Sequence, residues 1–129
     1  MYIVGDIGDG HMGNLSKEEA LKWLLDKDGR TSSRVKSNMS SMIERIMGLS
    51  SSTASGGGNT RYTFDGVAVY HESKGAGANE GATIFFVKRP GDVAKIVATG
   101  YHTGAQTYAL EWKHHDWSAL RNVNQISLD

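Results

Sequence analysis

The sequence predicts an α+β fold, with two N-terminal helices packed on one face of a twisted antiparallel sheet of about four strands. Three observations carry this expectation. Apolar residues recur at three- and four-residue steps up to about Met47. From Thr60 onward the apolar period shortens to two. Between the two halves lies a low-complexity Ser/Gly stretch, residues 50–59, which reads as a flexible connection. With 129 residues the chain falls in the range of a single domain, and neither half is large enough for a good core of its own.

The first thirteen residues read as a flexible lead-in, with a short strand over residues 1–4. Asp6 and Asp9 are spaced somewhat as in a calcium loop, but the glutamate such a loop needs at its twelfth position is missing. Gly10-His11-Met12 resembles a junction left by cloning. Residues 14–48 form the helical part. Ser16 and Glu19 make a capping box, Ala20, Leu21, Leu24 and Leu25 form an apolar stripe, and Asp28-Gly29 closes the first helix. Val35, Met39, Met42, Ile43, Ile46 and Met47 line the second helix, whose other face shows Arg34, Ser37, Asn38, Ser41 and Arg45.

Residues 60–112 make up the expected antiparallel sheet. Residues 61–72 alternate, with a break at Gly66, and residues 83–88 are apolar on both faces, as in a central strand. Arg89-Pro90-Gly91-Asp92 is a turn, with proline pre-set for its second position. Residues 93–99 and 106–112 flank a Gly-Tyr-His-Thr-Gly turn, and residues 113–129 form a polar tail. In that tail Trp117, Leu120 and Val123 are spaced as one helical face.

Composition narrows the function classes. There are no cysteines, which excludes disulfides and thiolate metal sites and leaves the compartment open. No targeting segment or membrane-length apolar run is present, so a soluble chain without a membrane partner is expected. The formal net charge is zero but unevenly spread. Residues 1–29 carry three lysines against six carboxylates, and residues 30–48 carry four cations against one carboxylate. Residues 83–115 carry four cations against two carboxylates, a zone able to meet phosphate.

The residues able to do chemistry gather near predicted strand ends. Ribonucleolytic cleavage needs a base for the 2′-hydroxyl proton, an acid for the leaving oxygen and cations for the phosphate charge. His71 or Glu72 as base, His102 as acid with Thr103 beside it, and Lys88 or Arg89 on phosphate meet that requirement. Tyr101 or Tyr108 supplies a ring on which a base can stack. A metal site from His71, His102, and His114 or His115 with Asp116 has suitable ligand types but no recognised spacing. Adjacent histidines in a strand would face opposite ways. No metal and no cofactor are therefore assigned. The glycine-rich stretches at residues 5–13 and 75–81 lack the ending of a phosphate loop, and no Gly-x-Ser-x-Gly elbow exists.

The order of helices then sheet over residues 16–112, with His, Arg/Lys and Thr/Tyr near strand ends, resembles the barnase, EndoU, colicin and RelE-like group of bacterial toxin ribonucleases. The resemblance is one of layout. It implies a metal-independent RNA-cleaving domain, the delivered C-terminal tip of a larger secreted bacterial protein, with RNA as substrate and a cognate immunity or inhibitor protein as partner. The competing class is a small non-enzymatic binding module: an immunity-type, regulatory or phage inhibitor protein. Such a module would show an exposed apolar or acidic patch, and the acidic first helix (Glu18, Glu19, Asp26, Asp28) fits it.

Overall fold

A computed structural model describes residues 1–6, 12–50, 59–117, 120 and 123–128. Ten elements follow along the chain: β1 (Tyr2–Asp6), β2 (Met12–Leu15), α1 (Lys17–Asp28), α2 (Ser33–Gly48), β3 (Asn59–Phe64), β4 (Val67–Lys74), β5 (Ala82–Arg89), β6 (Val93–His102), β7 (Thr107–Lys113) and β8 (Gln125–Ser127). The calcium-like spacing at residues 6–11 falls largely outside the described residues, as does most of the Ser/Gly stretch.

The expected four-stranded antiparallel sheet is corrected to a mixed sheet of eight strands, and the helices lie between strands rather than before them. The strand order is β2-β1-β6-β5-β4-β3, with β7 pairing β6 and β8 pairing β7. Only β1 runs parallel to its neighbour β6; the other pairs are antiparallel. Two local signals account for much of the difference. Residues 61–72, read above as one alternating run, are two strands of a hairpin turned at Asp65-Gly66. Both turn residues have positive φ (54° and 77°), and Phe64 pairs directly with Val67 across them. Asp-Gly is the pair that such a two-residue turn demands. At the other end, residues 125–127 of the polar tail pair with the start of β7.

The helices match their sequence signals closely. Ser16 and Glu19 form the capping box in full, and Gly29 ends α1 in the left-handed conformation. The α2 stripe of Val35, Met39, Met42, Ile43 and Ile46 is buried as its spacing requires. Met39, Met42, Ile43 and Ile46 pack with Leu24 of α1 against Ile3, Ala82, Ile84, Phe86, Ala94 and Ile96, which form one face of the sheet.

A second core lies on the opposite face and explains the shape of the sheet. β6 pairs β5 along its length, while β1 takes the first part of its other edge (Val93–Lys95) and β7 takes the rest (Ala98–His102). The sheet therefore forks at β6. From the fork, β7 and β8 curl over the face opposite the helices. They enclose Phe64, Val69, Phe85, Val87, Val97, Tyr108, Leu110, Trp117 and Ile126. The curl is closed by side chains, with Tyr62 donating to Ser127 O (3.3 Å) and Trp117 Nε1 donating to Thr63 O (3.1 Å). Trp117 and Leu120, expected on a helical face, thus serve as the plug of this second core.

A kink in β6 permits the curl. Register slips between Phe85 and Phe86 on one edge and between Thr99 and Gly100 on the other. At Gly100 the backbone of β7 passes so close that a Cβ would lie 2.0 Å from Ala109 O, which leaves room for glycine alone.

Candidate active site

The curled part of the sheet brings three side chains together at one of its ends. His71 sits on β4 beyond Tyr70, the last β4 residue paired to β3. Across the sheet His71 faces Phe85, Ser73 faces Thr83, and Thr83 in turn faces Gly100 of β6. Two residues further along β6, His102 pairs with Tyr108 of β7. Period-2 alternation then places His71, Ser73, Thr83, His102 and Tyr108 on the inner face of the curl.

Tyr108 is the hub. Its hydroxyl is 3.0 Å from His71 Nε2 and hydrogen-bonds to Ser73, whose own hydroxyl lies 2.8 Å from that of Thr83. Its ring meets the His102 ring at a centroid distance of 4.2 Å and a tilt of 39°. The residue is buried at 1% exposure, and desolvation pushes its phenol pKa above the ordinary 10.0, with the Ser73 bond pulling the other way. The phenol therefore holds its proton at neutral pH.

His102 is oriented rather than buried. Nδ1 lies 3.0 Å from the carbonyl oxygen of Gly104. A carbonyl can only accept, so Nδ1 carries a hydrogen and the neutral ring offers its lone pair at Nε2. Because β6 runs on through His102, the glycine-flanked turn expected at residues 100–104 is corrected: Gly100, Tyr101 and His102 are in the strand, and the turn spans residues 103–106.

A polar hollow of about 290 Å³ opens beside these groups, walled by His71, Ser73, His102, Tyr108, Arg45 and Glu72. Glu72 follows His71 and so points to the helix face, where Arg45 Nη1 donates to its Oε2 at 3.1 Å. The Glu72 carboxylate is buried while the Arg45 side chain is 56% exposed, so the pair anchors a guanidinium at the rim. Arg45 and Ser73 were missed as site residues. Arg45 was visible on the polar face of α2, but nothing local in the sequence aims that face at β4.

The remaining expected residues do not wall this hollow. Lys88 and Arg89 end β5 three and four residues past Phe85, the residue facing His71, ~10–13 Å along the strand at a rise of about 3.3 Å per residue. There Lys88 Nζ lies over the Tyr70 ring at 4.1 Å, and Arg89 reaches Asp65 at 3.5 Å. Thr103 is in the turn, exposed, and donates its hydroxyl to Thr107 Oγ1 at 2.9 Å. Tyr101 faces the helix side, with the Arg30 guanidinium 5.1 Å from its ring centre.

The four-residue metal arrangement does not assemble. His71 and His102 are at the Tyr108 end, while His114 sits against Phe64, with a ring-centroid distance of 5.4 Å. His114, His115 and Asp116 do cluster among the described residues. The two histidine rings do not face opposite ways as a strand would dictate. β7 ends at Lys113, and in the following turn the rings stack 4.4 Å apart.

Comparison with known proteins returns no matching family model, no matching curated protein and no matching solved structure. Among the described residues no helix is long and apolar enough to cross a membrane.

Proposed function

We propose that this protein is a metal-independent ribonuclease that cleaves RNA by general acid–base catalysis at the His102–Tyr108–His71 cluster. The observation that carries the proposal is the pairing of an imidazole offering Nε2 with a phenol kept protonated by burial, both walling one polar hollow. In the cleavage step His102 Nε2 takes the proton of the ribose 2′-hydroxyl, and the 2′-oxygen bonds to phosphorus. The bond from phosphorus to the 5′-oxygen breaks, and that oxygen receives the Tyr108 proton. The proton taken by His102 then returns to the phenolate oxygen, which His71 Nε2 holds in place from 3.0 Å, and Arg45 faces the charge gathering on the phosphate oxygens. The products are a 2′,3′-cyclic phosphate and a 5′-hydroxyl. This assignment gives His102 the basic role, the reverse of the acid role expected for it from the sequence. The bacterial-toxin setting rests on an expected order of helices then sheet, which β1 and β2 before α1 overturn, so it adds no support to this reading.

The binding-module alternative calls for an exposed apolar or acidic patch. Among the described residues Tyr2 is the one large hydrophobic side chain exposed, so the apolar form of that reading has little support, while Glu18, Glu19 and Asp26 of α1 are exposed and keep its acidic form.

The test is incubation of the purified protein with total RNA and transfer RNA, with and without a chelator, beside a His102→Ala variant. Cleavage that survives the chelator, leaves cyclic phosphate ends and falls by about 100-fold or more in the variant is the expected result. Loss of cleavage with chelator would transfer the chemistry to a metal, and no cleavage at high protein concentration would refute the proposal.

A further inference from the structure

We infer that the glycine-lined hollow on the other side of His102 is the subsite for an unpaired nucleobase, so that the substrate is single-stranded. This rests on the ribonuclease reading for the position of the phosphate. His102 is common to two hollows: the polar one described above and a larger one of about 520 Å³, walled by Tyr101, Thr103, Gly104, Gly77 and Ala76. A phosphodiester held at His102 Nε2 has a nucleoside on each side, and the second hollow is where one of them goes.

Its chemistry suits a base rather than a phosphate. Among the described residues no charged side chain lines it, and small residues leave a wide slot beside the Tyr101 ring. The ring is held in advance. Arg30 lies against Tyr101, and that arginine is itself fixed by Asp28 (2.7 and 3.0 Å), Gly81 O (2.6 Å) and Gly100 O (3.0 Å). A ring ordered before binding loses little entropy when a base stacks on it.

Three of the backbone donors around the slot are already used. Gly77 N donates to His102 O, and the amides of Thr103 and Gly104 both donate to Thr107 O. Recognition is therefore by stacking, which tolerates any base but requires it to be unpaired.

The test is fluorescence anisotropy with a labelled 2′-O-methyl oligonucleotide, single-stranded or annealed to its complement. This probe cannot supply the attacking hydroxyl, so binding is read apart from cleavage. Wild type and Tyr101→Phe are expected to bind the single strand and not the duplex. Tyr101→Ala is expected to bind the single strand about tenfold more weakly. Equal binding by Tyr101→Ala, equal binding of the duplex, or no binding of the single strand would overturn the inference. Tyr101-dependent binding without cleavage of ordinary RNA would keep the subsite and refute the reaction. Cleavage with Tyr101-independent binding would do the opposite. Thermal unfolding of each variant separates loss of the ring from loss of the fold.

Discussion

The hydroxyl of Tyr108 and Nε2 of His71 lie 3.0 Å apart across 37 residues of sequence, joining the start of β7 to the inner face of β4. The bond forms only because the sheet curls. It places a titratable pair against the His102 ring and gives the site its measurable signatures.

The first signature is alkaline instability. The Tyr108 phenol has its pKa raised by burial, so between pH 10.0 and its folded value the native chain holds a proton that the unfolded chain has lost. Stability should be unaffected by this group below that window and should fall as pH rises through it. Urea midpoints measured from pH 9 to 11 should decline more steeply for wild type than for Tyr108→Phe. Equal slopes would show that the phenol is not desolvated.

Two arginines separate the site described here from the one expected from the sequence. Arg45→Ala should lower kcat/KM for RNA by about 10-fold or more, since it removes a cation from the hollow. Arg89→Ala, at the far end of β5, should leave cleavage unchanged. A larger loss at Arg89 would place the phosphate elsewhere.

The Asp28–Arg30 pair is the anchor behind Tyr101. Asp28 has a fully buried carboxylate that accepts from Arg30 at 2.7 Å and from Thr99 Oγ1 at 2.7 Å. Breaking such a pair leaves the arginine buried without its counter-charge. Asp28→Ala should therefore destabilise the fold by about 3–5 kcal/mol in chemical denaturation. Thr99→Val removes a single bond and should cost about 1 kcal/mol.

Gly100 controls how closely β7 approaches β6. With Ala109 O where a Cβ would stand, Gly100→Ala must push the two strands apart. The expected cost is about 1–3 kcal/mol, with cleavage reduced further because His102 and Tyr108 sit on those strands. A variant as stable and active as wild type would mean that the close approach is not maintained.

Much of the local structure was legible. The Ser16–Glu19 capping box, the left-handed Gly29, the buried stripe of α2 and the turn before Val93 all appear where their residues place them. The Asp65-Gly66 hairpin was equally legible in principle. Its two-residue turn signal was present, but the alternation on both sides concealed it as one strand.

The site was legible by residue type and not by position. His71, His102 and Tyr108 were recognisable as groups able to move protons or to stack, but so were Lys88 and Arg89, which sit at the opposite end of β5. Alternation along β4 separates His71 from Glu72, yet it cannot say which face meets β7 and which meets α2.

By itself the sequence determined the two helices with their caps, the positions of most turns and the supply of proton-transfer groups. These depend on contacts within a few residues, which periodicity and cap chemistry encode directly. Only the tertiary structure decided that β1 pairs with β6 in parallel, that the sheet forks and that its curled half closes between Tyr62 and Ser127. Those pairings depend on two apolar faces being buried at once by segments far apart in the chain. No local window of sequence carries that collective requirement, and it is what brings His71, His102 and Tyr108 to one end of the sheet.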